Sequence, residues 1–469
     1  MSPHRLTLST VSALALAACA VGPDHIAPVS PQTASGPFLS QSAAVAPAPV
    51  EGDWWRLYRD PVLDGLVADA LAANTDIRVA VANLAKARAA LREVRSDRLP
   101  QVGVGAGANY GRLPADQRAP GAPREDWQVD AGLEVSYEVD LFGRVGRGVE
   151  AARGDIGAAE ADADAVRVAV VAETARAYAD AASAAERLMV AEHIVSLLDR
   201  SIAIAERRRE VGLATRLDTS RIAALRNQRQ ADVPALAAER EAALFRLATL
   251  TGRTPADLPA EAGARAVMLR LDQPIPVGDG AALLARRPDI RAAERRLAAS
   301  TARIGVATAD LYPRITLGGS VGSTGTGLGD IFGGGPLRWL LGGLINWSAN
   351  QGGARARIAM AEADSQAALA TFDGTVLKAL EETETALSAY AHAIERHAAL
   401  KAARDEAETA VNITRARQRE GDIDSLQLLD AERTFADTEA DLAAADARIA
   451  GAQVDLFRAL GGGWQRPGG

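Results

Sequence analysis

The sequence predicts a mainly α protein that also contains the strands of a membrane β-barrel. Very long segments place an apolar side chain at every third or fourth position, and shorter segments between them alternate apolar with polar or small residues. An internal repeat at a spacing near 213 places both kinds of segment twice in the chain. Of the 469 residues, 48% are apolar but only 4% are aromatic, which favours close-packed, alanine-rich helices.

The N-terminal residues have the pattern of an export signal. Arg5 precedes an apolar run over 6–18 that is too short to span a bilayer as a permanent helix. The run ends Leu16-Ala17-Ala18-Cys19, which resembles a bacterial lipobox, and Cys19 is the chain's one cysteine. We expect 1–18 to be a lipoprotein signal, Cys19 to be acylated and 19–61 to be a lipidated N-terminal tether, which is extended over the Pro-, Ala- and Ser-rich residues 28–50. A signal peptide with a chance cysteine is the alternative.

The repeat predicts two copies of one unit, each with a helix, two strands, a very long helix, a glycine turn and a returning helix. Its landmarks are the pairs Asp76 and Asp289, Pro100 and Pro313, Gly212 and Gly421, and Phe245 and Phe457. The first copy covers 62–276, with strands 101–110 and 127–141, a long helix 145–211 and a return helix 217–250. The second covers 277–463, with strands 314–324 and 336–347, a long helix 354–419 and a return helix 426–460, followed by a tail, 464–469. The opening helices are predicted over 62–98 and 279–310.

Each long helix is predicted to be a rod. A helix of 67 residues at 1.5 Å per residue would be roughly 100 Å long. Apolar residues in the first of them follow a 3-4-3-4-3 spacing that is typical of a coiled coil. Gly212 and Gly421 suit the left-handed geometry that ends a helix.

The strand pattern predicts a barrel that is apolar outside and polar inside. In 127–141, apolar residues such as Leu133 and Val135 alternate with Glu134, Ser136 and Glu138. A half-buried sheet on a soluble core is the alternative. Because a sheet in lipid can leave no open edge and four strands cannot close alone, the barrel interpretation requires a homo-oligomer. Trp127, Trp339 and Trp347 lie near predicted strand ends and suit an aromatic girdle.

Several motifs together resemble those of one family, the outer-membrane efflux factors of the TolC family, in the lipoprotein branch resembling OprM and NodT. The resemblance extends over nearly the whole chain. It rests on Val21-Gly22-Pro23-Asp24 with Pro28, Asp53-Trp54-Trp55, Asp60-Pro61-Val62-Leu63, and Leu283-Leu284-Ala285-Arg286-Arg287-Pro288-Asp289-Ile290 with Glu294. The aromatic residue usual at the position of His25 and the acid usual near Ser348 are missing.

The resemblance implies a homotrimer whose twelve strands form an outer-membrane pore and whose helices form a periplasmic tunnel. The implied partners are outer-membrane lipid, a periplasmic adaptor protein and an inner-membrane RND-type transporter that supplies small molecules such as drugs. The resemblance also assigns a periplasmic gate: a constricting apolar residue at Leu426, an acid at Asp430 and its basic partner at Arg433. A structural role for Asp430 in the first turns of a helix is the alternative. Asp218 and Arg221 are weaker candidates for inter-helix links near the same end.

The sequence does not support nucleic-acid binding, zinc binding or catalysis. The formal charge of −8 is spread along the chain, so nucleic acid is not an expected partner. The five histidines contain no i,i+4 pair for zinc, and no nucleophile with a base can be nominated, so we expect neither a cofactor nor an enzyme. Two other functions remain open: a lipid-anchored coiled-coil scaffold without a pore, and a type I protein-secretion duct of the same fold.

Overall fold

The computed structural model describes residues 20–29, 31–49, 52–112, 114–118, 120–271, 273–327, 337–423 and 425–462. The predicted signal, Cys19 and the C-terminal tail 464–469 lie outside these residues. Two compact units are present. The first comprises Asn83–Glu160 and Ala292–Asp373 with the described residues before Val29, and the second comprises Ser30–Ala82, Ala161–Arg291 and the chain from Gly374.

Helices make up most of the described chain. They are α1 (Pro61–Ala73), α2 (Thr75–Ser96), α3 (Arg144–Glu210), α4 (Arg216–Gln230), α5 (Asp232–Leu250), α6 (Gly280–Arg286), α7 (Pro288–Ala309), α8 (Gly352–Glu420) and α9 (Ser425–Ala459). The long helices α3 and α8 contain 67 and 69 residues. Each begins in the first unit and ends in the second.

The two long helices end in the same way. Gly212 and Gly421 have φ values of 77° and 80°, which a side chain on Cβ would disfavour. The residue after each glycine donates its backbone N–H back into the last turn, Leu213 to the Arg208 carbonyl at 2.7 Å and Asp422 to the Arg417 carbonyl at 3.0 Å. These bonds satisfy carbonyls that the helix leaves free at its end.

The first unit contains an antiparallel four-stranded sheet. Its strands are β2 (Gln101–Arg112), β3 (Glu125–Val139), β5 (Arg314–Gly325) and β6 (Leu337–Asn346), in the order β2-β3-β5-β6. All residues of the two outer strands are exposed. β2 and β6 each have a neighbouring strand on one side only, so in a single chain both are edge strands with an unpaired edge.

A second, much smaller sheet corrects the prediction of an extended tether. Val45–Ala46, strand β1, pairs in parallel with Ile275–Pro276, strand β4. Trp54 is completely buried, and its ring stacks on Phe457 with the centroids 4.5 Å apart. The segment packs because burying its aromatic side chains lowers the free energy by more than the freedom of a solvated, proline-rich linker would.

Three helices predicted as continuous are divided. Between α1 and α2, the Asn74 carboxamide oxygen accepts hydrogen bonds from the N–H groups of Asp76 and Ile77, so it begins a new helix. Arg287 alone separates α6 from α7, which begins at Pro288 because proline has no N–H to continue the preceding helix. The return helix 217–250 is interrupted at Ala231, three residues before Pro234, which fits only in a first turn.

Candidate functional site

The predicted gate residues share one exposed face at the start of α9. Leu426, Asp430 and Arg433 are spaced i, i+4 and i+7, which places them on the same side of a helix. The exposed fraction is 51% for Leu426 and 67% for the Arg433 side chain, and Asp430 is also exposed. The position of Asp424, between the turn and α9, lies outside the described residues.

Asp430 and Arg433 form no ion pair with each other within the described part of a single chain, so the predicted pairing would have to form between subunits. Arg433 instead lies beside Asp437, one helical turn further on, with Nε 3.9 Å from Oδ2. In the single chain, Asp430 therefore presents its carboxylate to solvent.

The opposite face of α9 contains a buried polar group that sequence reasoning missed. Glu432 is 4% exposed, and its Oε1 accepts a hydrogen bond from the Ser201 hydroxyl on α3 at 2.7 Å. Arg415 on α8 lies 3.3 Å from the same oxygen. Glu432 therefore joins three helices, and the one signal for it in the sequence is an acid between the apolar positions Leu428 and Phe435.

Two further contacts hold the second helical hairpin, formed by α8 and α9, against the first, formed by α3 and α4. The Arg208 guanidinium on α3 donates to the Gln418 carbonyl on α8 at 3.2 Å. Arg229 on α4 forms an ion pair with Asp437 on α9. We call these two contacts and the Ser201–Glu432–Arg415 group the hairpin clamp.

Asp218 has a local role rather than the predicted inter-helix one. Its Oδ2 accepts hydrogen bonds from the Thr215 N–H at 2.8 Å and the Thr215 hydroxyl at 2.7 Å, forming a capping box at the start of α4. These hydrogen bonds lower the pKa of the Asp218 carboxyl. An acid at the third position of a helix satisfies the free donors beside it, which explains why Asp218 does not reach another helix. Arg221 is exposed on α4.

The turn of the first hairpin exposes an apolar group. Val211, Leu213 and Leu217 are 70%, 68% and 57% exposed. They lie around Gly212, close in sequence to Arg207–Arg209 at the end of α3 and to Arg216 at the start of α4. Apolar side chains gathered at an exposed turn are typical of a contact surface.

Strands β2, β3 and β5 give the sheet one apolar and one polar face, whereas β6 has leucines on both faces. The register aligns Val104, Leu133, Val321 and Trp339 on the first face, and Gly103, Glu134, Ser320 and Leu340 on the second. The large residues of the apolar face are exposed, with Trp339 at 74% and Leu341 at 78%. Among the described residues, no helix is long and apolar enough to cross a membrane, and no three His, Cys, Asp or Glu residues there are grouped to hold a metal ion.

The fold is that of a known class of proteins. The family model for outer membrane efflux proteins matches residues 66–253 and 281–462. The chain therefore belongs to the outer membrane efflux protein family. Its family and relatives are channel and efflux proteins, and it is an outer-membrane exit duct with its helical part in the periplasm.

Individual relatives are similar over nearly their whole length. The outer membrane protein OprJ of Pseudomonas aeruginosa is 34% identical over 459 residues, with 96% of this chain and 94% of that protein covered. The antibiotic efflux pump outer membrane protein ArpC of Pseudomonas putida is 31% identical, with 99% and 96% covered. The structure of the outer-membrane channel OprN superposes with a TM-score of 0.88 at 38% identity, covering 96% of this chain and all of that one.

The capping box predicts that Asp218 and Asp430, which lie near the two hairpin turns, contribute differently to helix stability. Replacing Asp218 by Ala should cost on the order of 1 kcal/mol of local stability at the start of α4, measured as faster amide hydrogen exchange there. Asp430→Ala is the matched control, since no such cap holds the Asp430 carboxylate, and exchange at the start of α9 should hardly change.

The same contact should depend on pH. Because the folded pKa of Asp218 is lowered, its contribution is complete above the ordinary carboxyl pKa and is lost as the pH falls from about 4 through the lowered value. Equal exchange in the Asp218→Ala variant and the parent would contradict this role.

Proposed function

We propose that three copies of this chain close a twelve-stranded barrel, through which small molecules leave a tripartite efflux system. The observation that supports this most is the four-stranded sheet with two open edges and an exposed apolar face. In lipid, each unpaired N–H or C=O group costs several kcal/mol, so both edges require partners. β2 and β6 run in opposite directions, so β6 of one copy can pair antiparallel with β2 of the next.

Two copies of one helix–strand unit account for four strands in each protomer. The match of one family model to 66–253 and again to 281–462 supports this internal repeat, as do the equivalent ends of α3 and α8. Three protomers give twelve strands, enough for a water-filled lumen. A coiled-coil scaffold would leave the exposed apolar face of the sheet without a role.

The substrates reach the duct through two partners. We propose that a periplasmic adaptor binds the exposed apolar group Val211, Leu213 and Leu217. The adaptor connects the duct to an RND-type inner-membrane transporter. Small apolar or drug-like molecules are the substrate class, in keeping with relatives named as antibiotic and toluene efflux pump proteins. Selection among them is assigned to the transporter, which loads the duct.

Leu426, Asp430 and Arg433 form the gate at the end of the helical tunnel. Three-fold symmetry makes each exposed side chain one of three around the axis. An apolar ring of Leu426 resists wetting, and a ring of Asp430 concentrates cations beside it. The hairpin clamp keeps α9 packed within each protomer while these residues face the axis, and Asp218 and Arg221 stay outside the gate.

Channel recording and mass determination test the assembly. Light scattering with a detergent correction should give three copies, and the purified protein should produce discrete conductance steps in planar bilayers. A stable monomer that still spans lipid would contradict the edge argument. Trimers that never conduct would instead favour the scaffold.

Gate variants should change different properties of the channel. Leu426→Ala removes three side chains from the constriction and should raise the open-channel conductance. Asp430→Ala deletes a ring of negative charge and should lower the preference for cations, measured as a smaller reversal potential in a salt gradient. Glu406→Ala, an exposed acid elsewhere on the helical rods, is the control. Unchanged conductance and selectivity in both gate variants would place the gate elsewhere.

The lipid anchor of the proposal is at Cys19. Mass spectrometry of the mature N-terminus should find an acylated Cys19 after removal of 1–18. In Cys19→Ser the lipoprotein peptidase should leave the signal uncut. An unmodified Cys19 in the mature parent protein would refute the anchor.

A further inference from the structure

We propose that Glu134 is a specificity-determining residue in the middle of the β-barrel, where three copies favour cationic over anionic solutes. The inference rests on the proposed trimer with the polar face of the sheet turned towards the lumen. It concerns the outer-membrane section of the duct, separate from the gate residues on α9.

The charge pattern of β3 is regular. Asp126, Asp130, Glu134 and Glu138 occur at every fourth residue, and the period of two places all four on the polar face. At about 3.4 Å per residue, successive acids stand roughly 14 Å apart along the strand. β3 therefore presents a row of carboxylates from one end of the sheet to the other.

Two of these acids are neutralised by neighbours in the same unit. Asp130 Oδ1 lies 3.3 Å from Arg338 Nη2 and accepts a hydrogen bond from the Thr324 hydroxyl at 2.7 Å. Glu138 lies 2.8 Å from the Arg144 guanidinium and 3.8 Å from Arg314. Asp126, at the far end of the strand, accepts a hydrogen bond from the Trp127 N–H.

Glu134 has no such neutralising partner. Among the described residues, no cationic nitrogen lies within 4.0 Å of its carboxylate. The register places it between Gly103 on β2 and Ser320 on β5, neither of which has a charge. Arg338 lines the same groove but is paired with Asp130, so a solute that passes along this face meets the Glu134 carboxylate without a bound counter-ion.

The surface around Glu134 is open because glycines form it. A groove of about 310 Å³ runs beside the carboxylate over Gly105, Gly107, Gly132 and Gly322. A Cβ on Gly132 would lie 2.8 Å from the Val321 carbonyl oxygen, and one on Gly322 would lie 2.6 Å from that of Ala131. The close approach of β3 and β5 thus excludes side chains here, and a solute can reach the carboxylate along a bare backbone.

A thiol opposite Glu134 measures the local potential independently of the gate. Ser320→Cys places the thiol in register with Glu134. Trimers in liposomes are treated from outside with a cationic and an anionic methanethiosulfonate of matched size. Any effect of Glu134 on thiol ionisation is the same for both reagents, so the ratio of their rates reports the electrostatic potential.

Adding Glu134→Gln to Ser320→Cys should lower the cation-to-anion rate ratio by about threefold or more, and the drop should shrink in high salt. Glu134→Asp retains the charge and should retain the ratio. Glu125→Gln is the matched control, since Glu125 is on the same strand but the opposite face, and it should leave the ratio unchanged. A protein without an introduced cysteine corrects for Cys19.

The outcomes separate the inference from the proposed function. An unchanged ratio in Glu134→Gln, or an equal fall in Glu125→Gln, overturns the role of Glu134 while the barrel stands. The thiol of Leu213→Cys, at the exposed turn, is a control for reactivity in detergent. If this control thiol reacts but the thiol of Ser320→Cys reacts with neither reagent, this face of the sheet does not line a lumen. The barrel itself then fails, and the inference fails with it.

Discussion

The unpaired backbone groups along β2 and β6 are the constraint on which the rest of the structure depends. Water can satisfy them in a soluble protein, but hydrocarbon cannot, and the exposed apolar face commits this sheet to hydrocarbon. The even number of strands gives the two edges opposite directions, so identical copies can join head to tail until the ring closes. In the proposed trimer, ring closure would place three copies of each inward-facing side chain around the axis, which is why single residues such as Asp430 and Glu134 would have a large effect.

Different kinds of interaction stabilise the two ends of the second unit. Around Trp54, Tyr178 and Phe457, large side chains are buried almost completely in an apolar cluster. At the hairpin turns the main links are the polar contacts of the hairpin clamp, with small apolar clusters between them. Water can replace polar contacts at little cost, whereas exposing an aromatic core is expensive. Separating the hairpin end should therefore cost less free energy than exposing the aromatic core.

Local chemistry explains what the sequence could predict. Gly212 and Gly421 were predictable as helix ends because few other residues adopt a positive φ. The alternation in 127–141 locates β3 within two residues because its period is set by the backbone. Asn74 was missed, since an asparagine within an apolar helical pattern starts a new helix only when its side chain turns back to its own backbone. Glu432 was missed because its burial depends on Ser201, more than two hundred residues away.

In the proposed barrel, a glycine-lined lumen would limit how selective the duct can be. Tight selection requires groups that replace the hydration shell of a solute, and bare backbone in a wide pore does not provide them. Charges on the wall act only within about 8 Å in physiological salt, so they bias solutes that pass close to the wall. The neutralised acids Asp130 and Glu138 fit this view, because their pairs join strands or strand and helix instead of facing the solute. Under the proposed function, selection by chemistry would therefore fall to the partner that loads the duct, and the wall would set only how quickly each charge class leaves.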